Sequence, residues 1–323
     1  MRTFHLLLLT VLTASAQHHL SPEQNRQRAA QCGQKLQSKL FGGQLIAGSD
    51  APWTVAIAFG QKDSTLYQTG FLISDRYVIT NMDAVFWDRN RRKRTRDTFR
   101  WRLTENYANM EGWKANGTFG VAGNVLRRMG VFLCADKKAG DNCIPSNNVY
   151  KVKNGIYLGN TNTKMISFGL VLLELEKPID MKKGGFLCVP DKDISEVGET
   201  LRAFSLGRQD AAVPGAELFA KLNTVEVKVT PCTDPSRHPA LSVCTSSVVC
   251  ELDNGAPVTK TVDGKVYAVA SLTSCGFGDK EIVISDKILG GCLKDDKKEA
   301  SDHHVSVGKF SKQICEYSGI CSV

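Results

Sequence analysis

Histidine is the side chain whose ordinary pKa lies closest to neutral, so its positions limit where general-base chemistry can occur in this protein. The sequence has six histidines, at His5, His18, His19, His238, His303 and His304. None lies between residues 20 and 237. His238 stands in the turn-like stretch 234–239, where a lone histidine is expected to be solvated rather than catalytic.

Cysteine could supply metal-binding or redox chemistry, and eleven cysteines are present. No CxxC pair or Cys/His cluster has the spacing of a zinc site, so we expect disulfides, no metal and no cofactor. Because eleven is odd, at least one thiol is free or bonded to another chain. Cys134 and Cys143 close a short loop and are expected to pair with each other.

The first residues predict a compartment in which disulfides form. Arg2 is a charged start, residues 6–12 are apolar, and Ala14-Ser15-Ala16 is a small-residue cleavage site. Residues 1–16 are therefore interpreted as a secretory signal peptide, too short to span a membrane. No later apolar run reaches the ~18 residues of a transmembrane helix. We expect a secreted, extracellular protein beginning at Gln17.

The net charge of +8 is concentrated in one stretch, residues 89–102, which we call the basic run. Asp97 is its single acidic residue against eight basic ones, so its net charge is +7. Closely spaced arginines bind sulfate and phosphate groups, which predicts affinity for heparin-like sulfated glycans; the alternative is a solvated loop. Nucleic acid is not an expected partner outside the cell. The basic side chains are Arg89, Arg91, Arg92, Lys93, Arg94, Arg96, Arg100 and Arg102.

Residues 250–257 read Cys-Glu-Leu-Asp-Asn-Gly-Ala-Pro. This stretch resembles Cys-x-Gly-Asp-Ser-Gly-Gly-Pro, the nucleophile loop of the trypsin-like serine proteases. Under that resemblance the serine position is Asn254, whose amide has no proton that a base could remove to make a useful nucleophile. The glycine that would donate its N–H to the oxyanion hole is Leu252, and the second glycine of the pair is Ala256.

Other segments carry the same resemblance. Residues 39–43, Lys-Leu-Phe-Gly-Gly, followed by Pro52-Trp53, resemble the zymogen junction of the family. Residues 71–80 resemble the strand before its catalytic histidine, and residues 168–178 resemble the strand that carries its aspartate. Cys32-Gly33 and the ending at residues 314–321 resemble a nematode-expanded branch of trypsin-like secreted proteins.

The resemblance implies that the general base is also missing. The histidine position is Asp83 and the position of the orienting aspartate is Gly169. An exposed aspartate has a pKa near ~4 and is a poor base at neutral pH. Gln68 and Ala84 stand where the family has a disulfide.

The fold implied by the resemblance is all-β, with two packed antiparallel six-stranded β-barrels (chymotrypsin-like) and a short C-terminal helix. Residues 17–39 are expected to form an exposed, propeptide-like extension, and residues 40–321 the trypsin-like domain with an enlarged insertion at 86–160. The residues themselves predict strands at 54–59 and 68–80, the latter broken by a turn at 74–76, and at 225–229, where apolar residues alternate.

Several site residues follow from the resemblance. It implies the disulfides Cys32–Cys188, Cys232–Cys244 and Cys250–Cys275. Of the remaining cysteines, Cys292, Cys315 and Cys321, two form one more pair and one is the odd thiol.

Three further positions are single-residue hypotheses. Cleavage between Lys39 and Leu40 would free an α-amino group to pair with Asp253, unless this arrangement is inherited without use. Val248 would form an apolar pocket base, or simply fill core. Asn116 heads a glycosylation sequon.

We therefore expect a secreted, catalytically inactive serine protease homologue that acts as a binding, decoy or cofactor protein, with an extracellular protein as its partner. The alternative is a diverged secreted serine-type endopeptidase with a relocated catalytic group. The sequence does not name the partner or the oligomeric state.

Overall fold

A computed structural model of the protein describes most of two antiparallel barrels and the segments around them. No helix in this described part is long and apolar enough to cross a membrane. The described residues are 18–34, 44–61, 64–81, 110–111, 118–143, 149–159, 169–182, 184–206, 221–233, 239–246, 254–274 and 301–322.

The first barrel is a closed ring of six strands, all paired antiparallel. Before it comes the short β1 (Gln44–Leu45), which pairs with the second barrel. Two short strands, β5 (Met110–Glu111) and β6 (Phe119–Val121), extend the first sheet beside its fifth ring strand. The ring strands, in sequence order, are β2 (Thr54–Gln61), β3 (Ser64–Leu72), β4 (Tyr77–Asn81), β7 (Gly130–Leu133), β8 (Val149–Gly159) and β9 (Gly169–Leu175).

The second barrel is also a closed six-stranded antiparallel ring, and β1 is added beside its second strand in sequence order. The predicted pair of six-stranded barrels is therefore confirmed. The ring strands are β10 (Thr200–Ser205), β11 (Asn223–Thr230), β12 (Ser242–Ser246), β13 (Pro257–Val262), β14 (Lys265–Ser274) and β15 (Ser301–Ser306). Around the ring they run β11-β10-β13-β14-β15-β12 and back to β11.

Local sequence explains these strands. β11 alternates Val225, Val227 and Val229 with Glu226 and Lys228, the period of a strand with one buried face. All seven residues of β9 are buried, because its outer face is covered as well. The turn at Ser74 is fixed by its hydroxyl oxygen, which accepts hydrogen bonds from the N–H groups of Arg76 and Tyr77.

Three short α-helices accompany the barrels within the described ranges, and the predicted C-terminal one is present at Ser311–Ser318. A one-turn helix at Gly123–Leu126 lies beside β8. A third helix, at Pro22–Gln31, begins at a capping box formed by Ser21 and Gln24.

Residues 18–34 of the predicted N-terminal extension are docked on both barrels, although most side chains of the N-terminal helix are exposed. Arg28 donates to the Ile73 carbonyl of the first barrel (3.3 Å), and Lys265 of the second barrel donates to the Ala29 carbonyl (2.8 Å). Asn25 donates to the Cys321 carbonyl at the C-terminus (2.9 Å). The polar composition of this segment does not predict the docking, because the buried residues Asn25 and Arg28 are polar and make hydrogen bonds in the interior.

Four disulfides lie in the described part of the protein. Three of them, Cys32–Cys188, Cys134–Cys143 and Cys232–Cys244, are the pairs expected from the sequence. The fourth joins Cys315, within the C-terminal helix, to Cys321 just beyond the end of that helix.

Candidate functional site

The loop that resembles a nucleophile loop is held between the two barrels. The Asn254 carbonyl accepts a hydrogen bond from the Thr69 N–H of the first barrel (3.1 Å). The Gly255 N–H donates to the Leu272 carbonyl in β14 (2.8 Å), and the Leu272 N–H donates back to the Ala256 carbonyl (3.0 Å). The peptide group that joins Asn254 to Gly255 is therefore held by both barrels, its carbonyl by the first and its N–H by the second.

Gly255 is required at this point for two reasons. Its φ of +83° lies in the left-handed region that other residues adopt only with strain. A Cβ added there would overlap the Thr69 carbonyl oxygen and the Thr80 hydroxyl. The loop and the first barrel are in direct contact, with no space between them for a side chain at residue 255.

Polar side chains of the first barrel surround this contact. Thr80 donates its hydroxyl to the Thr69 carbonyl (2.9 Å), and the Gln68 amide donates to the Thr80 hydroxyl. The Leu206 N–H donates to the Thr69 hydroxyl (3.1 Å), and the Asn81 amide donates to the Leu272 carbonyl (3.3 Å). We call this group the seam; it consists of Gln68, Thr69, Thr80, Asn81, Leu206, Asn254, Gly255 and Leu272.

Gly169, which the resemblance places at the orienting aspartate, lies opposite Gly159 across β8 and β9. The ring of Tyr157 covers both glycines. A Cβ at Gly169 would come within 2.5 Å of the Leu158 carbonyl oxygen and 2.7 Å of the Tyr157 hydroxyl. Burial raises the pKa of Tyr157, so the phenol stays neutral in the physiological range. The space beside Gly169 holds an aromatic ring and does not admit a carboxylate side chain.

Two histidines that sequence reasoning left unassigned are buried in the second barrel. His304 hydrogen-bonds through Nε2 to the Thr245 hydroxyl (2.8 Å), and His303 Nδ1 lies 3.4 Å from the Cys244 sulfur. Burial, with a smaller contribution from His303, lowers the pKa of His304 to about 3. His304 is therefore a neutral core residue near neutral pH. Only the fold reveals this, because histidine is intermediate in its tendency to be buried and its residue type alone does not predict burial.

The buried carboxylate of Glu174 was also missed by sequence reasoning. Its oxygens accept hydrogen bonds from the Asn154 amide (2.7 Å) and from the His18 backbone N–H (3.2 Å), and Lys153 lies 3.4 Å away. Tyr77 donates its hydroxyl to the His18 carbonyl. The signal in the sequence is one acidic residue inside the apolar strand β9. Its role in this structure is to hold the segment before the N-terminal helix against the first barrel.

Much of the predicted site falls outside the described residues, and those expectations remain predictions. Thr118, the last residue of the glycosylation sequon, is described: it is buried, with its hydroxyl 2.6 Å from the Tyr317 hydroxyl of the C-terminal helix. In the part of the protein that the structure covers, no group of His, Cys, Asp and Glu could hold a metal ion. The predicted residues outside it are Lys39, Leu40, Asp83, the basic run, Asn116, Val248, Cys250, Leu252, Asp253, Cys275 and Cys292.

Two closed six-stranded barrels, with the loop at Asn254 seated between them, define a protein of the chymotrypsin-like fold. The chain belongs to the nematode trypsin-6-like family, whose model matches residues 3–321. No curated protein is similar enough to give a match. The match covers nearly the whole sequence and relates this protein to trypsin-like proteins.

Proposed function

We propose that this protein is a secreted, catalytically inactive serine protease homologue that acts by binding another extracellular protein, as a decoy or a protease cofactor. The observation that carries the proposal is that two family positions are replaced together: Asn254 stands at the serine position and Gly169 at the aspartate position. Neither residue can perform its role in acyl transfer, which needs a nucleophile, a base and a group that orients the base.

The surroundings of Gly169 support the proposal beyond the identity of one residue. A catalytic aspartate needs room for its carboxylate, and the Tyr157 ring takes up that room. The packing around Gly169 therefore leaves no room for the acid. Asp83 and Leu252, at the base and oxyanion positions, extend the argument from sequence, since an aspartate is a weak base at neutral pH.

Activity assays test the proposal directly. We expect no hydrolysis of peptide esters or amides and no labelling by serine-directed phosphonate probes, with an active trypsin-like enzyme as positive control. Labelling that disappears when one serine is mutated would establish the rival function, a diverged endopeptidase with a relocated nucleophile.

A triad-restoring variant sharpens the test. Asp83→His with Asn254→Ser should fold and remain inactive. Adding Gly169→Asp should lower the melting temperature without giving activity, because the new carboxylate overlaps the Tyr157 ring and the Leu158 carbonyl. Hydrolysis by the triple variant would show that the barrel still accommodates a working triad.

A capture experiment addresses the binding role. The tagged protein, incubated with native secretions, should retain a protein partner that is identified by mass spectrometry. Absence of specific capture relative to an unrelated secreted barrel protein would count against a protein-binding role.

The basic run supports a second interaction, with sulfated glycans, because it carries nearly all of the excess positive charge. The variant with Arg91, Arg92, Lys93 and Arg94 changed to Ala should elute from immobilised heparin at lower salt than the unmodified protein. The matched control changes four exposed basic residues of the first barrel and its flanks, Arg127, Arg128, Lys138 and Lys182. Equal shifts for the two variants would mean that total charge, rather than the basic run, decides binding.

A further inference from the structure

Three Asn-Gly pairs occur in the sequence, at 116–117, 154–155 and 254–255. Asparagine loses its side-chain amide most readily when glycine follows it. The reason is that glycine has no Cβ to hinder attack of its backbone nitrogen on the preceding side chain. Asn254-Gly255 is the pair at the seam. The single peptide group between Asn254 and Gly255 is hydrogen-bonded to both barrels, through its carbonyl to Thr69 of the first and through its N–H to Leu272 of the second.

We propose that Asn254 is a covalent modification site whose conversion to aspartate or isoaspartate is controlled by opening of the seam. The Gly255 nitrogen loses its proton and attacks Cγ of Asn254, so that a new C–N bond closes a succinimide ring. The bond between Cγ and Nδ2 of Asn254 breaks, and the departing nitrogen takes up a proton and leaves as ammonia. Water then opens either carbonyl of the ring and gives aspartate or isoaspartate, without an oxidant or reductant.

The closed seam blocks the first step. The attacking nitrogen is the one whose N–H donates to the Leu272 carbonyl (2.8 Å), and the Asn254 carbonyl is held by Thr69 (3.1 Å). The nitrogen can lose its proton and turn toward Cγ only when these bonds break. The rate of conversion in the folded protein therefore follows the population of the open seam.

The isoaspartate product prevents the seam from closing again. It adds one methylene to the main chain between residues 254 and 255. Gly255 already lacks room for a single added carbon, because a Cβ there overlaps the Thr69 carbonyl and the Thr80 hydroxyl. The longer backbone cannot keep both the Thr69 and the Leu272 hydrogen bonds. Each opening that leads to isoaspartate therefore leaves the contact between the barrels permanently loosened.

Asn154-Gly155 is a built-in comparison within the same protein. This pair lies inside β8, in register with Glu174 and Leu173 of β9, and the Asn154 amide donates to the Glu174 carboxylate (2.7 Å). Its protection depends on the first barrel and not on the contact between barrels. A change that opens only the seam should therefore accelerate conversion at Asn254 and leave Asn154 unchanged.

The experiment measures conversion at both pairs by peptide mapping with mass spectrometry, and isoaspartate by enzymatic methylation, at mildly alkaline pH. In the folded protein, Asn254 should convert about tenfold more slowly, or slower still, than in urea-unfolded protein. Asn81→Ala, which removes the hydrogen bond to Leu272, should raise the Asn254 rate several-fold without changing Asn154. Equal rates in folded and unfolded protein, or no effect of Asn81→Ala in a folded variant, would overturn the proposal.

If Asn81→Ala does not fold, the unmodified protein in urea below its unfolding transition gives the same comparison. Conversion should rise at Asn254 before it rises at Asn154, whereas a parallel rise at both pairs would contradict seam control. The isolated isoaspartate form should exchange amide hydrogens faster than the unmodified protein in residues 64–72 and 254–274. Unchanged exchange there would refute the permanent loosening.

Discussion

At the scale of single residues, the two glycines of the candidate site are fixed by contacts with the first barrel. Gly255 meets the Thr69 carbonyl and the Thr80 hydroxyl, and Gly169 meets the Leu158 carbonyl and the Tyr157 ring. The family motif also has glycine at the position of Gly255, so that contact does not distinguish this protein from a protease. Gly169 stands at the position of the orienting aspartate, and there an aromatic ring fills the space that a carboxylate would need.

Gly169→Ala should lower the free energy of unfolding by about 1–3 kcal/mol, the usual cost of forcing an extra carbon into a packed interior. Urea denaturation of the variant measures the loss. The matched control is Gly184→Ala, where the nearest atoms to the added carbon are 3.6 Å away and little change is expected. If both variants lose the same free energy, crowding by Tyr157 and Leu158 is not the cause.

The pH dependence of stability should reflect His304. Its folded pKa of about 3 lies below the ordinary value of 6.5, so between these values the unfolded protein binds a proton that the folded protein does not. The contribution of His304 to the free energy of unfolding is therefore fully present above about pH 6.5. It is lost as the pH decreases toward 3, by up to ~1.4 kcal/mol per pH unit. Measuring urea midpoints from neutral pH down to about pH 4 follows this loss.

A non-titrating side chain at position 304 separates this effect from general acid sensitivity. His304→Gln should flatten the pH dependence in the acid range, while His19→Gln, at an exposed position, should leave it unchanged. A His304→Gln variant with the acid sensitivity of the unmodified protein would show that other groups dominate.

At the scale of elements, the two terminal helices connect the barrels to each other. The N-terminal helix bonds to Ile73 of the first barrel and to Lys265 of the second. The C-terminal helix contributes Ile314 to the core and reaches the first sheet through Tyr317 and Thr118. Helices this short are not stable alone, so their formation depends on this packing.

The Thr118–Tyr317 hydrogen bond should stabilise the fold by about 1 kcal/mol, the typical contribution of one buried bond. Thr118→Val and Tyr317→Phe, alone and combined, give the coupling energy in a double-mutant cycle of urea denaturation. Thr118→Ser, which keeps both the hydroxyl and the glycosylation sequon, is the control and should retain the coupling. A coupling energy near zero would show that this bond does not link the helix to the first sheet.

At the scale of the whole molecule, the Cys32–Cys188 disulfide fastens the N-terminal helix to the body across 156 residues of sequence. In the loop-entropy description, closing so long a loop contributes about 4 kcal/mol by restricting the unfolded state. Cut between Lys39 and Leu40, the protein would keep its N-terminal helix through this bond, since Cys32 lies before the cut and Cys188 after it.

Replacing both cysteines by serine, Cys32→Ser with Cys188→Ser, should lower stability more than Cys315→Ser with Cys321→Ser, whose loop spans only 6 residues. Thermal unfolding under non-reducing conditions compares the two double variants. A larger loss for the short loop would mean that local packing outweighs the restriction of the unfolded state.

The architecture could be predicted from the amino-acid sequence. Alternating valines predict β11, the Ser74 turn divides β3 from β4, and the motif around Asn254 implied two barrels, because strand patterns and family spacing are local properties of a sequence. Three of the four described disulfides were also expected from the sequence and its family resemblance.

The closed fold was needed to show which polar residues are internal. Four polar or charged side chains that the sequence alone would place at the surface are buried, each with a hydrogen-bond partner far away in sequence. They are Asn25, Arg28, Glu174 and His304. The Tyr157 ring over Gly169 and the contact of Gly255 with Thr69 also depend on strands that meet only in the closed barrels. Such contacts cannot be predicted from local pattern, because the partner that makes burial favourable lies tens to hundreds of residues away.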